Sequence, residues 1–154
     1  MRMRFWILLS GLLVSLPALY AVAAPSKQVQ SSDEKIKGYF AEGLQRQQEK
    51  RYPEAIMVYR RAIKLDANQP ETLNNLGFCY KQMREYKKAI EYYKQALALK
   101  PDLAEAHEYL GEAYVQLGQL ALAKQEYETL LKLDPKEAKE LHEKIEAKTS
   151  PSAS

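Results

Sequence analysis

Residues 70–103 read PETLNNLGFCYKQMREYKKAIEYYKQALALKPDL, and their spacing recurs on both sides. Gly43, Gly77 and Gly111 stand 34 residues apart, as do Ala55, Ala89 and Ala123, and Tyr59, Tyr93 and Tyr127. A fixed period of this length marks helical hairpins stacked in a row, each covering the apolar face of the next. Gly77 and Ala89 fall where the two antiparallel helices of one hairpin come closest, so a larger side chain at either would hold them apart. Leu76, Tyr80, Tyr93 and Ala96 sit at helical spacing on the inward stripes. Pro101 lacks an N–H and pushes its predecessor extended, which ends the second helix.

In the central copy the marked positions are Leu73, Leu76, Gly77, Tyr80, Ala89, Tyr93 and Pro101. The third copy carries His107, Leu110, Gly111, Tyr114, Ala123, Tyr127 and Pro135, differing in kind only at the first. The first copy carries Tyr39, Glu42, Gly43, Arg46, Ala55, Tyr59 and Ala67, keeping the small residues and the aromatic, as a terminal repeat does. Over Ile36 to Glu137 the chain resembles the tetratricopeptide repeat (TPR) family. The expected fold is therefore all-α, a TPR solenoid of three helix-turn-helix repeats (36–69, 70–103, 104–137) plus a C-terminal capping helix.

Abundant Ala, Leu, Lys, Glu and Gln with only six Gly favour helix throughout. The expected helices are Lys35 to Gln48, Pro53 to Leu65, Pro70 to Met83, Tyr86 to Leu99, Ala104 to Leu117 and Leu120 to Leu133. Pro53 and Pro70 suit the first turn, where a missing N–H is no loss. A seventh segment, Lys136 to Lys148, with its capping part at 138–148, carries Leu141 and Ile145 on one side and charge elsewhere, as a cap over the last hairpin requires.

Before the repeats, residues 1–23 combine Arg2 and Arg4, a long apolar run and the ending Ala21, Val22, Ala23, the pattern of a cleaved signal peptide. The alternative is an uncleaved anchor, since Phe5 to Ala24 carries no charge and is long enough to span a bilayer once. The expected location is thus the bacterial periplasm, or the inner membrane facing it. Residues 24–34 read as a flexible linker and 149–154 as a disordered tail. Removing the leader lowers the formal charge from +3 to +1, which argues against a nucleic-acid partner.

Catalytic motifs are missing: the chain has two His, one Cys and no Gly-rich phosphate loop, H-E-x-x-H or C-x-x-C. His107 is expected to pack between hairpins, His142 to sit on the outer cap, and Cys79, which matches Ala113 one repeat on, to be a small buried residue. No cofactor or metal site is expected, and no enzyme.

The resemblance implies that a protein or peptide partner lies in a concave groove lined by the first helix of each repeat. Matching positions are Lys37, Phe40, Leu44, Gln47 and Gln48, then Glu71, Asn74, Phe78, Lys81 and Gln82, then Glu105, Glu108, Glu112, Val115 and Gln116. Phe40, Leu44 and Phe78 would take apolar side chains, and Glu105, Glu108 and Glu112 would meet Lys or Arg. Some family members grip chaperone C-terminal carboxylates with Lys, Asn, Asn, Lys and Arg. Those positions here hold Phe40, Leu44, Asn75, Glu105 and Tyr109, so that ligand is not expected. The expected function is a non-enzymatic adaptor or assembly factor outside the cytoplasm. The alternatives are a chaperone-like holder of exported clients and a self-associating envelope subunit, with membrane contact only through a retained leader.

Overall fold

The computed structural model describes residues 31–150, and the leader and most of the tail lie outside them. Seven helices follow one another without a strand among the described residues: α1 (Ser32–Gln48), α2 (Tyr52–Leu65), α3 (Pro70–Gln82), α4 (Tyr86–Leu99), α5 (Ala104–Gln116), α6 (Leu120–Leu133) and α7 (Pro135–Thr149). Each helix packs on the next, and α7 also returns to lie on α5. No described helix is long and apolar enough to cross a membrane.

The period extends into the backbone. Lys50, Arg84 and Gly118 all take left-handed φ, of 59°, 61° and 72°, in the turn inside each hairpin. After each of them an N–H reaches back across the helix end: Arg51 to the Arg46 carbonyl at 2.8 Å, Glu85 to Tyr80 at 2.9 Å, Gln119 to Tyr114 at 2.8 Å. These bonds satisfy carbonyls that the helix ends leave open. Only the third turn uses glycine, although the geometry is the same in all three.

Several helix boundaries differ from the sequence reading, most of them by a single residue. α1 starts at Ser32, inside the stretch read as linker, because Ser31 and Glu34 form a reciprocal capping box, each side chain 3.2 Å from the other's backbone nitrogen. α7 starts at Pro135, one residue before the expected Lys136, because Asp134 accepts from the backbone of Lys136 and Glu137 at 3.0 and 3.2 Å. It also runs through Thr149 into the stretch read as tail.

The periodic glycines are packing sites. A methyl built on Gly43 would lie 2.3 Å from Tyr59 Cε1, and one on Gly77 would lie 2.5 Å from Tyr93 Cε1, with both rings fully buried. In the third repeat the pattern breaks. Gly111 faces Leu141 of α7, whose Cδ2 would be 2.4 Å from such a methyl, while Tyr127 stacks on His142, also of α7, with centroids 5.1 Å apart. In the place where a further hairpin would cover α5, α7 supplies Ala138, Leu141 and Ile145 to the same continuous core.

Candidate partner-binding groove

The first helix of each hairpin carries a half-buried ring: Phe40 on α1, Phe78 on α3 and Tyr109 on α5. Phe78 is the link between neighbours, with its centroid 6.4 Å from Tyr52 and 5.4 Å from Tyr109. Phe40 leans on Tyr59 at 6.2 Å and borders a shallow cavity of about 310 Å³ with Ile36, Lys37, Gln69, Glu71 and Thr72. Tilted rings at these separations hold one another in place while leaving ring surface open. Tyr52 is a groove residue that the sequence reading misses, and Tyr109 enters that reading only as a clamp position. The ring at 109, sharing its face with Phe78, was the available signal.

Several expected groove residues do other work. Asn74 is only 2% exposed and belongs to the interior, with its side-chain oxygen unpartnered within the described residues. Gln47 accepts a hydrogen bond from the Tyr59 hydroxyl at 3.1 Å, and the Cys79 thiol lies 3.6 Å from the same oxygen, so Gln47 ties α1 to α2 and α3. Leu44 is half-buried. Cys79 is a fully buried small residue, and burial pushes its thiol up to about 12.

The acidic set is divided. Glu105 is exposed, but Glu108 is 7% exposed and Glu112 is half-buried. Glu112 is bonded by both Lys81 of α3 and Lys144 of α7, and Lys144 also lies 3.4 Å from Glu108. The expectation that Glu108 and Glu112 wait for a partner's Lys or Arg is thereby corrected. The chain's own α7 folds over α5 and brings the cation. Lys81, expected to be a free groove cation, sits 3.9 Å from the Tyr109 centroid and 5.4 Å from that of Phe78.

Electrostatics follows from that arrangement. Burial raises the Glu108 carboxyl to about 7, with Glu137 and Glu112 adding and Lys144 opposing. Burial works in the same direction on Glu112, but Lys81 and Lys144 outweigh it and hold its carboxyl below the usual range. Glu108, Glu137 and Glu140 place carboxylate oxygens within 4.8 Å of one another, and Glu108 already has Lys144 as its cation. The open acidic end of the groove is therefore a recess of about 420 Å³ bordered by Glu105, Asp134, Glu137 and the Tyr109 ring, with Glu108 at its base.

His107 is not an apolar packing residue. Its Nδ1 is 2.6 Å from a Glu126 carboxylate oxygen and its Nε2 is 2.9 Å from the Pro101 carbonyl. Two acceptors on two ring nitrogens call for two N–H donors, the imidazolium form. Glu126 raises its pKa, burial opposes, and Pro101 adds to the rise.

Stacked helical hairpins with a ring-lined groove define the class of a protein-interaction module. Family models described as a tetratricopeptide repeat match residues 70–103 and 104–137, and one described as a TPR repeat matches residues 43–84. The chain belongs to the tetratricopeptide repeat family. Among solved structures, the first TPR of Spaghetti (RPAP3), bound to the HSP90 peptide SRMEEVD, is 28% identical. It covers 78% of this chain and 97% of its own, with a TM-score of 0.71. The second TPR domain of human RPAP3, in complex with the HSP70 peptide SGPTIEEVD, is 29% identical, with coverages of 75% and 98% and a TM-score of 0.71. The Arabidopsis OM64 TPR domain, 18% identical with coverages of 76% and 98% and a TM-score of 0.72, shares the fold alone. No curated protein matches the chain.

Proposed function

We propose that the chain is a non-enzymatic adaptor or assembly factor that holds a segment of a protein partner in this groove, outside the cytoplasm. The observation that carries the reading is the set of half-buried rings on successive first helices, Phe40, Phe78 and Tyr109, the last two 5.4 Å apart. Rings fixed by their neighbours offer apolar area without ordering cost on binding. The segment that fits carries apolar side chains for the rings and, at its other end, a Lys or Arg for Glu105, Asp134 and Glu137. That polarity is opposite to the acidic tails held in the RPAP3 structures, and Phe40, Leu44, Glu105 and Tyr109 in place of clamp cations and amides oppose such a tail. The leader pattern of residues 1–23 supports the location.

The test is affinity capture from an envelope extract with the full chain, beside a Phe40→Ala, Phe78→Ala, Glu105→Lys variant shown by circular dichroism to be folded. Glu105 is chosen over Glu108 because a lysine at the buried Glu108 would face Lys144 and unsettle α7. One stoichiometric partner lost in the variant supports the adaptor. Many substoichiometric clients replace it with the holder reading, and identical captures from both chains place binding on another face.

A further inference from the structure

The opposite side of the molecule carries a second feature. On α2, Met57, Arg60, Arg61 and Lys64 follow at i, i+3, i+4 and i+7, a single stripe facing away from the buried Ala55, Ile56, Tyr59 and Ala62. This stripe forms one wall of a cleft of about 560 Å³ between α2 and α4. Half-buried Ile63 and Tyr92 lie over buried Leu73 and Leu76 at its base, and Gln95 stands on the far wall. At about 100° per residue, Leu73 and Leu76 lie on the far side of α3 from Asn74, Phe78 and Lys81, so the cleft and the groove open on different faces.

The cleft carries charge of one sign. Arg60, Arg61 and Lys64 are exposed, and none has a carboxylate within 4.0 Å among the described residues. No acidic side chain lines the cleft. Like charges at i, i+3 and i+4 repel, so the stripe weakens α2 for no gain within the fold.

We propose that this cleft is a second docking site, which takes an acidic segment of a protein partner bearing an aliphatic side chain. The aliphatic group enters over Ile63 and Tyr92, and carboxylates on either side of it meet Arg60, Arg61 and Lys64. The charge pattern alone would also suit an anionic bilayer, but the apolar surface is recessed below the cations. Interfacial binding needs apolar side chains that project beyond them, and in this cleft only Met57, 59% exposed, does so. With the groove on one face and the cleft on another, a single chain holds two partners at once. The cleft proposal stands independently of the groove reading.

The test is fluorescence anisotropy of the full chain with a fluorescein-labelled peptide EDLEELDEL, a basic counterpart KKLKKLKKL, and sedimentation with vesicles of equimolar phosphatidylglycerol and phosphatidylcholine. The expected result is saturable binding of the acidic peptide that weakens with added salt. It should fall roughly 10–100-fold in an Arg60→Gln, Arg61→Gln, Lys64→Gln variant, since three exposed ion pairs are lost. It should persist in Phe78→Ala. Amide shifts on binding are expected around Arg60 and Tyr92. Equal affinity in the triple variant, loss in Phe78→Ala, preference for the basic peptide, or no binding at all overturns the proposal. Vesicle binding without peptide binding overturns it in favour of a lipid surface. Because all three substituted residues are exposed, the triple variant is expected to keep its circular dichroism spectrum, which separates lost binding from lost fold.

Discussion

The substitution that probes the tertiary structure most directly is Gly111→Ala. The added methyl would lie 2.4 Å from Leu141 Cδ2, 2.9 Å from Cδ1 and 3.2 Å from Cγ. Carbon atoms settle at about 3.5–4.0 Å, so the fully buried Leu141 must retreat by roughly 1 Å or α7 must lift. Overpacking of this kind costs about 1–3 kcal/mol, and exchanging glycine for alanine within a helix returns up to about 1 kcal/mol. The net expectation is a loss of about 1–2 kcal/mol. Leu141→Ala alone leaves a cavity and costs about 2–5 kcal/mol. In the double variant the methyl added at Gly111 occupies part of that cavity, so the combined loss is smaller than the sum by about 1–2 kcal/mol. Gly111→Ala with Tyr127→Ala should couple more weakly than the Leu141 pair, since Tyr127 rests on His142 and not over Gly111. The assay is urea unfolding by circular dichroism, paired with hydrogen exchange of the α7 amides because repeat arrays open locally. Additivity with Leu141, or stronger coupling with Tyr127 than with Leu141, would refute the placement of α7. Gly38→Ala is the control: nothing lies within 4 Å of its added methyl, and stability should rise by about 0.5–1 kcal/mol.

Glu108→Gln should stabilise the chain by about 1–3 kcal/mol at pH 8 and give no advantage near pH 4. The folded-state carboxyl is raised to about 7, so what Glu108 contributes below its unfolded value is lost as pH climbs through the folded one. Melting the two chains across that range checks it. His107→Ala should destabilise at pH 6 and do so less at pH 8. The raised folded-state value makes the His107 tie to Glu126 and Pro101 complete below about pH 6.5 and lost as pH rises beyond it. Cys79, fully buried with its thiol raised to about 12, should react with Ellman's reagent only on unfolding, at one equivalent per chain. Arg84→Gly should raise stability by about 0.5–1 kcal/mol in urea, since Arg84 sits at φ 61° where glycine carries no steric penalty.

The repeat architecture was legible because its determinants are local. The 34-residue recurrence of Gly, Ala and Tyr sets where hairpins close, and Gly43 under Tyr59 and Gly77 under Tyr93 sit where that spacing requires. The same register made Cys79 a small buried residue, since it matches Ala113 one repeat on. The third repeat shows where the register stops being informative. Tyr127 holds the position of Tyr93, yet Leu141 occupies the space over Gly111, because a neighbour outside the period competes for it.

The same competition decided the charges. From spacing, Glu108 and Glu112 stand on the groove side of α5, and the sequence determined that they share a face with Glu105. Whether that face meets water or another helix depends on the angle at which α7 returns, and an amphipathic helix with Leu141 and Ile145 on one stripe is compatible with several angles. The docking found in the structure puts Lys144 against both carboxylates and leaves Glu105 open. The unpaired stripe Arg60, Arg61 and Lys64 was equally visible as residues. Only the packing of α2 and α4 on α3 made it the wall of a cleft with an apolar base. Local spacing determines which side chains share a helix face, and tertiary packing decides what each face meets, since that rests on contacts between residues far apart in the chain.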